Sequence, residues 1–237
     1  MKVNDEGFYL GSKKYGESSS ISFILSKQNG LIKGFTRFTK KEHNAFSILD
    51  KINFIWNSKN TDSLGFLKIN LPELSQKKED LFLFELIKSS VSEMCIKCLP
   101  YWQKNKEIFN DVEILLNLKR FKQTDILVRY VWWEILFLKN LGYGLNLDTC
   151  AVSGTTENIY FISPNSGNSV SFDIGKRYEK KLFKIPQCFK INENQVELDD
   201  CIEGLRITGF FLKKNFEKQY PNFVFRNELM KKLKKKI

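Results

Sequence analysis

Between residues 5 and 70 the chain passes through five short apolar runs separated by turn residues, and this spacing restricts the fold more than any other feature. The runs are Gly7-Phe8-Tyr9-Leu10, Ile21 to Ser26, Leu31 to Phe38, Ile52 to Trp56 and Leu64 to Ile69. Each is a strand candidate bounded by turn signals. Asn29-Gly30 is the dipeptide preferred in a two-residue type I′ turn, so Leu31 to Phe38 is expected to fold straight back on the run before it. Five short strands in roughly seventy residues suit a small closed barrel. Pattern alone leaves an oligonucleotide-binding (OB) barrel and an SH3-like barrel both open.

Past residue 76 the period changes. Leu81, Phe84, Ile87, Val91 and Met94 recur at the i, i+3, i+4 spacing of a helix, after the polar start Lys77-Lys78-Glu79-Asp80 and before Pro100. A shorter helix is expected over Glu107 to Lys119, with Ile108, Val112 and Leu115 inward. The next is expected to be capped by Thr124 or Asp125 and to stop at Gly142, where a helix end wants a left-handed residue. Short connections between three helices argue for a bundle. From Cys150-Ala151-Val152-Ser153-Gly154 through Ser163-Pro164-Asn165-Ser166-Gly167 the chain is rich in turn formers, which predicts a small β-like insertion. The acidic stretch Glu197 to Glu203 leads into a helix expected from Gly204. Leu205, Thr208, Phe211 and Leu212 form its core face, and Arg206, Lys213, Lys214 and Lys218 its polar side. Pro221 interrupts, and Lys231 to Ile237 reads as a basic tail.

The net charge of +11 is unevenly distributed. Residues 1–76 carry eleven Lys or Arg against seven Asp or Glu, residues 77–204 seventeen against eighteen, and residues 205–237 ten against two. A neutral middle between two basic ends fits a polyanionic partner better than it fits general solubility. No apolar run approaches the roughly eighteen residues of a membrane span. Met1 to Glu6 lacks the apolar core of a signal peptide. The five cysteines are odd in number and irregular in spacing, which argues against a disulfide framework and for the cytoplasm.

In the barrel segment basic and aromatic residues interleave: Tyr9, Lys13, Lys14 and Tyr15, then Lys33, Phe35, Arg37, Phe38, Lys40 and Lys41. Single-stranded nucleic acid is held by rings that stack on bases and cations that track phosphates. The alternative place for any one ring is the core, because alternate strand positions point inward. The six cations have no place in a core and mark the candidate surface. Catalysis has little to draw on. The only histidine, His43, lies in a basic loop, and no Gly-rich phosphate loop is present. Acidic residues are scattered or paired with lysine rather than spaced as a two-metal site. Neither an enzyme activity nor a cofactor is expected.

Three stretches in register resemble the RecO family of DNA-repair proteins. They are Glu6-Gly7-Phe8-Tyr9-Leu10 with Tyr15 to Ser19, Leu141-Gly142-Tyr143-Gly144-Leu145-Asn146-Leu147 with Cys150 to Gly154 and Tyr160 to Gly167, and Gly204 to Leu212. The resemblance spans nearly the whole chain and implies an α+β protein: an N-terminal five-stranded OB-fold barrel, then an α-helical bundle domain carrying a small β-rich insertion. The expected domains are 1–76 for the barrel, 77–148 and 178–237 for the helical domain, and 149–177 for the insertion. Some members bind zinc there through two Cys-x-x-Cys pairs. This chain keeps Cys150 but has Ser153 in place of the second cysteine, and serines stand at 163, 166, 169 and 171. A structural zinc site needs four Cys or His ligands, so no metal is expected. Cys95-x-x-Cys98 is a lone pair on a helix, and Cys188 and Cys201 have no pairing spacing.

The resemblance also implies partners. Members bind single- and double-stranded DNA and single-strand-binding protein, anneal strands, and act with RecR to load the RecA recombinase. Where members usually show an arginine, an aromatic and a glutamate, this chain has Trp132-Trp133-Glu134, with Arg129 about one turn earlier. Arg129 and Trp132 are therefore the expected contacts for the acidic tail of single-strand-binding protein. Glu134, on an apolar helix, is expected to be a paired structural carboxylate. The expected nucleic-acid contacts are Lys13, Lys14, Lys33, Arg37, Lys40, Lys41, Arg206, Lys213 and Lys214. A cytoplasmic, nucleoid-associated recombination mediator is the reading adopted. The alternatives are a scaffold whose barrel mainly engages a RecR-like protein, and an RNA-binding OB protein.

Overall fold

Five strands build the N-terminal part, and burial alternates residue by residue along two of them, Lys51–Asn57 and Gly65–Ile69. The computed structural model describes residues 1–17, 19–37, 46–70, 82–117, 122–190, 196–216 and 222–234. Strands β1 (Lys2–Tyr15), β2 (Ser19–Ser26), β3 (Gly30–Thr36), β4 (Lys51–Asn57) and β5 (Gly65–Ile69) close into a barrel in the order β1-β2-β3-β5-β4. All neighbours are antiparallel except β3 and β5, which run parallel. This five-stranded, partly Greek-key closure is the OB fold, and it excludes the SH3-like alternative. Tyr9, Ile24, Ile32, Ile52, Phe54, Trp56 and Leu67 fill the interior. The β3–β5 pairing needs glycine on both sides. Gly34 sits opposite Gly65, and a Cβ on Gly65 would lie 2.4 Å from the Trp56 indole. That indole donates its Nε1–H to the Lys33 carbonyl at 3.1 Å.

The β2–β3 connection differs from the type I′ turn expected at Asn29-Gly30. Ser26 pairs with Gly30, so the loop has three residues, and of the dipeptide only Gly30 has positive φ, at 71°. The left-handed glycine is therefore the first residue of β3, directly after the loop, and not the second residue of a two-residue turn. Asp5 selects this loop by accepting hydrogen bonds from the Ser26 hydroxyl, the Gln28 N–H at 2.9 Å and the Asn29 amide at 3.2 Å. Gly30 is also required from outside, since a Cβ there would fall 1.9 Å from the Gln103 carbonyl.

Five longer helices follow among the described residues: α1 (Phe82–Cys98), α2 (Lys106–Leu116), α3 (Gln123–Asn140), α4 (Leu198–Phe216) and α5 (Val224–Lys234). Phe84, Ile87, Val91 and Met94 are the buried stripe of α1, as their spacing predicts. Ile108, Val112 and Leu115 are buried on α2. The cap of α3 lies two residues before Thr124 and three before Asp125. Lys122 is the cap residue, and Asp125 reaches back to accept its N–H at 3.2 Å. Its end is as expected: Leu141 closes the helix and Gly142 follows with φ 85°.

Helix α4 begins at Leu198 rather than at Gly204. Asp199 and Asp200 form its first turn, where the helix dipole favours negative charge. Gly204 is interior because a Cβ there would lie 2.6 Å from Cys188 Sγ. The basic tail is helix through Lys234, with Leu229 and Leu233 buried. The chain divides into two compact units, residues 1–110 with 223–237, and residues 111–222. In the first, α5 packs on α1 and α1 is tied to the barrel by the Ser92 hydroxyl donating to the Leu10 carbonyl. In the second, α3 packs on α4, and a three-stranded sheet in the order β7-β6-β8 is formed by β6 (Ile159–Ile162), β7 (Ser169–Ser171) and β8 (Phe183–Lys184).

Candidate nucleic-acid interface

One irregularity decides which residues of β1 face solvent. Tyr9 points into the barrel, and strict alternation from it would send Lys13 and Tyr15 inward as well. A bulge between Tyr9 and Gly11, with Gly11 at φ 117°, shifts the parity by one. Lys13 then lies opposite Ile21, Ile21 opposite Phe35, and Phe35 opposite Phe66, so one outward rung crosses four strands. The Tyr15 and Phe35 ring centroids are 5.2 Å apart, and those of Phe35 and Phe66 are 5.9 Å apart. Tyr15 is 55% exposed and Phe66 61% exposed. Lys33 and Arg37 flank Phe35 at alternate positions of the same outward parity, and both are exposed. Lys68 stands two residues from Phe66 and Lys59 in the loop before β5; both are exposed. In OB barrels this β2–β3 face, with the first and last inter-strand loops, is where oligonucleotides lie.

Of the sequence-predicted cations, Lys13, Lys14, Lys33 and Arg37 are brought to this one region and all are exposed. Lys40, Lys41, Phe38 and His43 lie outside the described residues. Lys33 has a second role, because its ammonium sits 4.3 Å above the Tyr101 ring centroid. The segment after α1 runs beside β3 there, with the Trp102 N–H donating to the Leu31 carbonyl at 3.0 Å. The Trp102 ring meets Trp56 at 4.4 Å and packs against the barrel core. Phe66, Lys59 and Lys68 were not among the predicted residues. Phe66 and Leu67 are both apolar, and only the buried glycine at 65 and Leu67 beside Trp56 tell which of the pair turns out.

The remaining predicted contacts belong to the other unit. Arg206 donates to both Glu203 oxygens, at 2.7 and 2.6 Å, and its guanidinium lies 4.9 Å over the Phe183 ring. That hydrogen-bonded carboxylate holds the Arg206 pKa above its usual value. Lys214 donates to the Pro164 and Asn165 carbonyls, and Lys213 is exposed. Arg129 and Trp132, three residues apart and so on one face of α3, are both half-buried. Glu134 is fully buried and accepts a hydrogen bond from the Thr208 hydroxyl of α4.

Grouping by unit sharpens the charge pattern. Residues 1–110 with 223–237 carry twenty-three Lys or Arg against thirteen Asp or Glu, and residues 111–222 fifteen against fourteen. The fold therefore collects the basic front and the basic C-terminal helix in one unit with net charge +10. On α5, Lys231, Lys232 and Lys234 are exposed, and Lys232 lies 5.3 Å over the Phe82 ring.

Among the described residues no group of three His, Cys, Asp or Glu is arranged to hold a metal ion. All five cysteines are free. Burial pushes the thiols of Cys95, Cys98, Cys188 and Cys201 up, which leaves them protonated and inert. Cys150 behaves oppositely. Burial opposes its ionisation, but hydrogen bonds from the Ser153 hydroxyl and from the N–H groups of Ser153, Ser171 and Val152 outweigh it and bring the thiol down to about 6. No helix among the described residues is long and apolar enough to cross a membrane.

Comparison with known proteins agrees with this architecture in both parts. The family described as Recombination protein O N terminal matches residues 1–71, and that described as Recombination protein O C terminal matches residues 86–222. A DNA repair protein RecO of Ehrlichia chaffeensis is 31% identical over 98% of this chain and 98% of its own. That of Wolbachia pipientis wMel is 31% identical over 90% of this chain and 92% of its own. That of Anaplasma marginale is 28% identical over 94% and 95%. With a barrel of the required topology and both family regions matched in order, the chain belongs to the RecO family.

Proposed function

We propose that this chain is a non-catalytic, DNA-binding mediator of recombination and repair. The observation that carries the reading is the outward rung Lys13, Ile21, Phe35 and Phe66, with Tyr15, Lys33 and Arg37 beside it, on the most basic unit of the chain. The exposed Tyr15 and Phe66 rings suit unpaired bases, and the flanking cations suit their phosphates. The relatives named DNA repair protein RecO support the same role. On the family pattern the chain binds single- and double-stranded DNA, anneals complementary strands, and works with a RecR-like protein to load recombinase. Docking of single-strand-binding protein falls to Arg129 and Trp132, association with the nucleoid follows from the DNA, and the barrel, helical and insertion parts are taken to divide after residues 76, 148 and 177. Lys40, Lys41, Arg206, Lys213 and Lys214 are kept as secondary phosphate contacts.

The mechanism is neutralisation of phosphates with release of counterions, aided by stacking. If about five phosphates are neutralised, log K for a single-stranded oligonucleotide falls with log salt at a slope near −3.5. Fluorescence anisotropy of a labelled oligonucleotide across a salt series measures it. A slope near zero overturns the charge mechanism. Strand binding lost in a Lys13→Glu/Arg37→Glu variant, with binding of the RecR-like partner retained, is the expected result. The reverse pattern makes the barrel a protein scaffold instead.

A further inference from the structure

Residues 111–222 carry a basic and aromatic surface of their own. After β7 a single helical turn, Phe172–Gly175, and a 3₁₀ segment, Lys176–Lys181, lead into β8. Lys176, Arg177, Tyr178, Lys180, Lys181 and Lys184 are all exposed, and Glu179 is the one acidic residue among positions 176–184. Two contact groups lie within this short stretch and the strand beside it. Lys176 lies 5.5 Å over the Phe172 ring, Phe172 meets Tyr160 edge-on at 5.3 Å, and Lys184 binds Glu179 at 2.7 Å. The turn is seated firmly on the sheet, since Gly175 is buried and a Cβ there would lie 2.3 Å from the Phe161 ring.

A run of lysines is ordinarily just a solvated face, and the rings are what argue against that here. Tyr178 is 58% exposed, Tyr160 41% and Phe172 38%. Three uncovered aromatic rings among five cations repeat the composition of the barrel face, and stacking on bases is what such rings offer. We propose that the 172–184 turn is a second nucleic-acid-binding surface, taking phosphates on Lys176, Arg177, Lys180 and Lys181 and a base on Tyr178. It rests on the barrel reading for the first strand. With both surfaces engaged, one chain holds two strands, which is what annealing requires.

The test is photocrosslinking of the full chain to an iodouracil-substituted oligonucleotide, with the adducts mapped by mass spectrometry. Adducts are expected in two peptides, one holding Tyr15, Phe35 or Phe66 and one holding Tyr160, Phe172 or Tyr178. A variant with Lys176→Glu, Arg177→Glu, Lys180→Glu and Lys181→Glu changes only exposed side chains. It should lose the second adduct, keep the first, and anneal complementary strands about tenfold more slowly. A Phe35→Ala/Phe66→Ala variant should do the opposite to the adducts. Wild-type chain that gives no adduct in 172–184, or a fourfold reversal that leaves annealing unchanged, overturns the proposal and leaves the patch to an acidic protein partner. Loss of the barrel adduct alone in wild-type chain instead overturns the barrel reading, so the two failures are told apart.

Discussion

Phe66 leaves most of its surface in water while Leu67 beside it is buried against the barrel core. Truncating an exposed ring removes no core packing, so Phe66→Ala should leave the melting temperature unchanged. It should still weaken single-strand binding by about 1–3 kcal/mol, roughly 5- to 150-fold, if a base stacks there. Anisotropy and thermal melts on the same variant check both halves; a melting shift with unchanged affinity would make Phe66 structural. Cys150 offers a second residue-scale prediction. Its thiol titrates near 6 in the fold, below the ordinary value of 9.0. A lowered folded pKa stabilises the fold above the unfolded pKa, and that contribution is lost as pH falls through the folded one. The stability difference between wild type and Cys150→Ala should therefore shrink as pH drops from about 9 to about 6 and stay level below that. Thiolate ultraviolet absorbance should appear with the same midpoint, and Ser153→Ala should move that midpoint upward.

Helix α5 is an element whose start depends on a side chain far away in sequence. The Val224 and Phe225 N–H groups each donate to one oxygen of Glu93 on α1, both at 3.0 Å, and Lys97 holds the same carboxylate at 2.7 Å. A carboxylate at a helix start both accepts orphan N–H groups and meets the positive end of the dipole. Glu93→Ala should cost about 1–2 kcal/mol of α5 stability, seen as roughly tenfold faster amide exchange over residues 224–234 than in wild type. Unchanged exchange there would mean that Leu229 and Leu233 alone hold the helix down. The helices α1 and α2 were legible because Phe84, Ile87, Ile108 and Val112 repeat at helical spacing. The five strand runs were legible too, whereas the barrel type came only with the family resemblance. Three local features were not legible. Asn29-Gly30 obeys Asp5 rather than its own turn preference, Gly204 is a packing glycine and not a helix start, and the bulge at Tyr9–Gly11 reverses the face of Lys13. The first two are decided by atoms distant in sequence, the Asp5 carboxylate and Cys188 Sγ, which a pattern of neighbours does not contain.

At the scale of the whole molecule, chain order and spatial order differ. The C-terminal helix returns to the unit that holds the barrel, so charge that looks divided between two ends is gathered on one body. Apolar periodicity could not reveal this, because α5 has a stripe like any amphipathic helix and its partner α1 lies more than a hundred residues earlier. The division also makes a stability prediction. Glu134 on α3 is fully buried and takes a hydrogen bond from Thr208 on α4, both within residues 111–222. Thr208→Val keeps the shape and removes the donor, at a cost of about 1–3 kcal/mol for a buried charged acceptor. That corresponds to roughly 2–4 °C of melting temperature per kcal/mol for a chain of this size. Amides of α3 and α4 should exchange faster in the variant, whereas those of β1–β5, α1 and α5 keep their protection and oligonucleotide binding at the barrel keeps its affinity. If instead every element loosens by the same factor, the two units unfold as one, and the barrel cannot be treated as an independent carrier of the binding face.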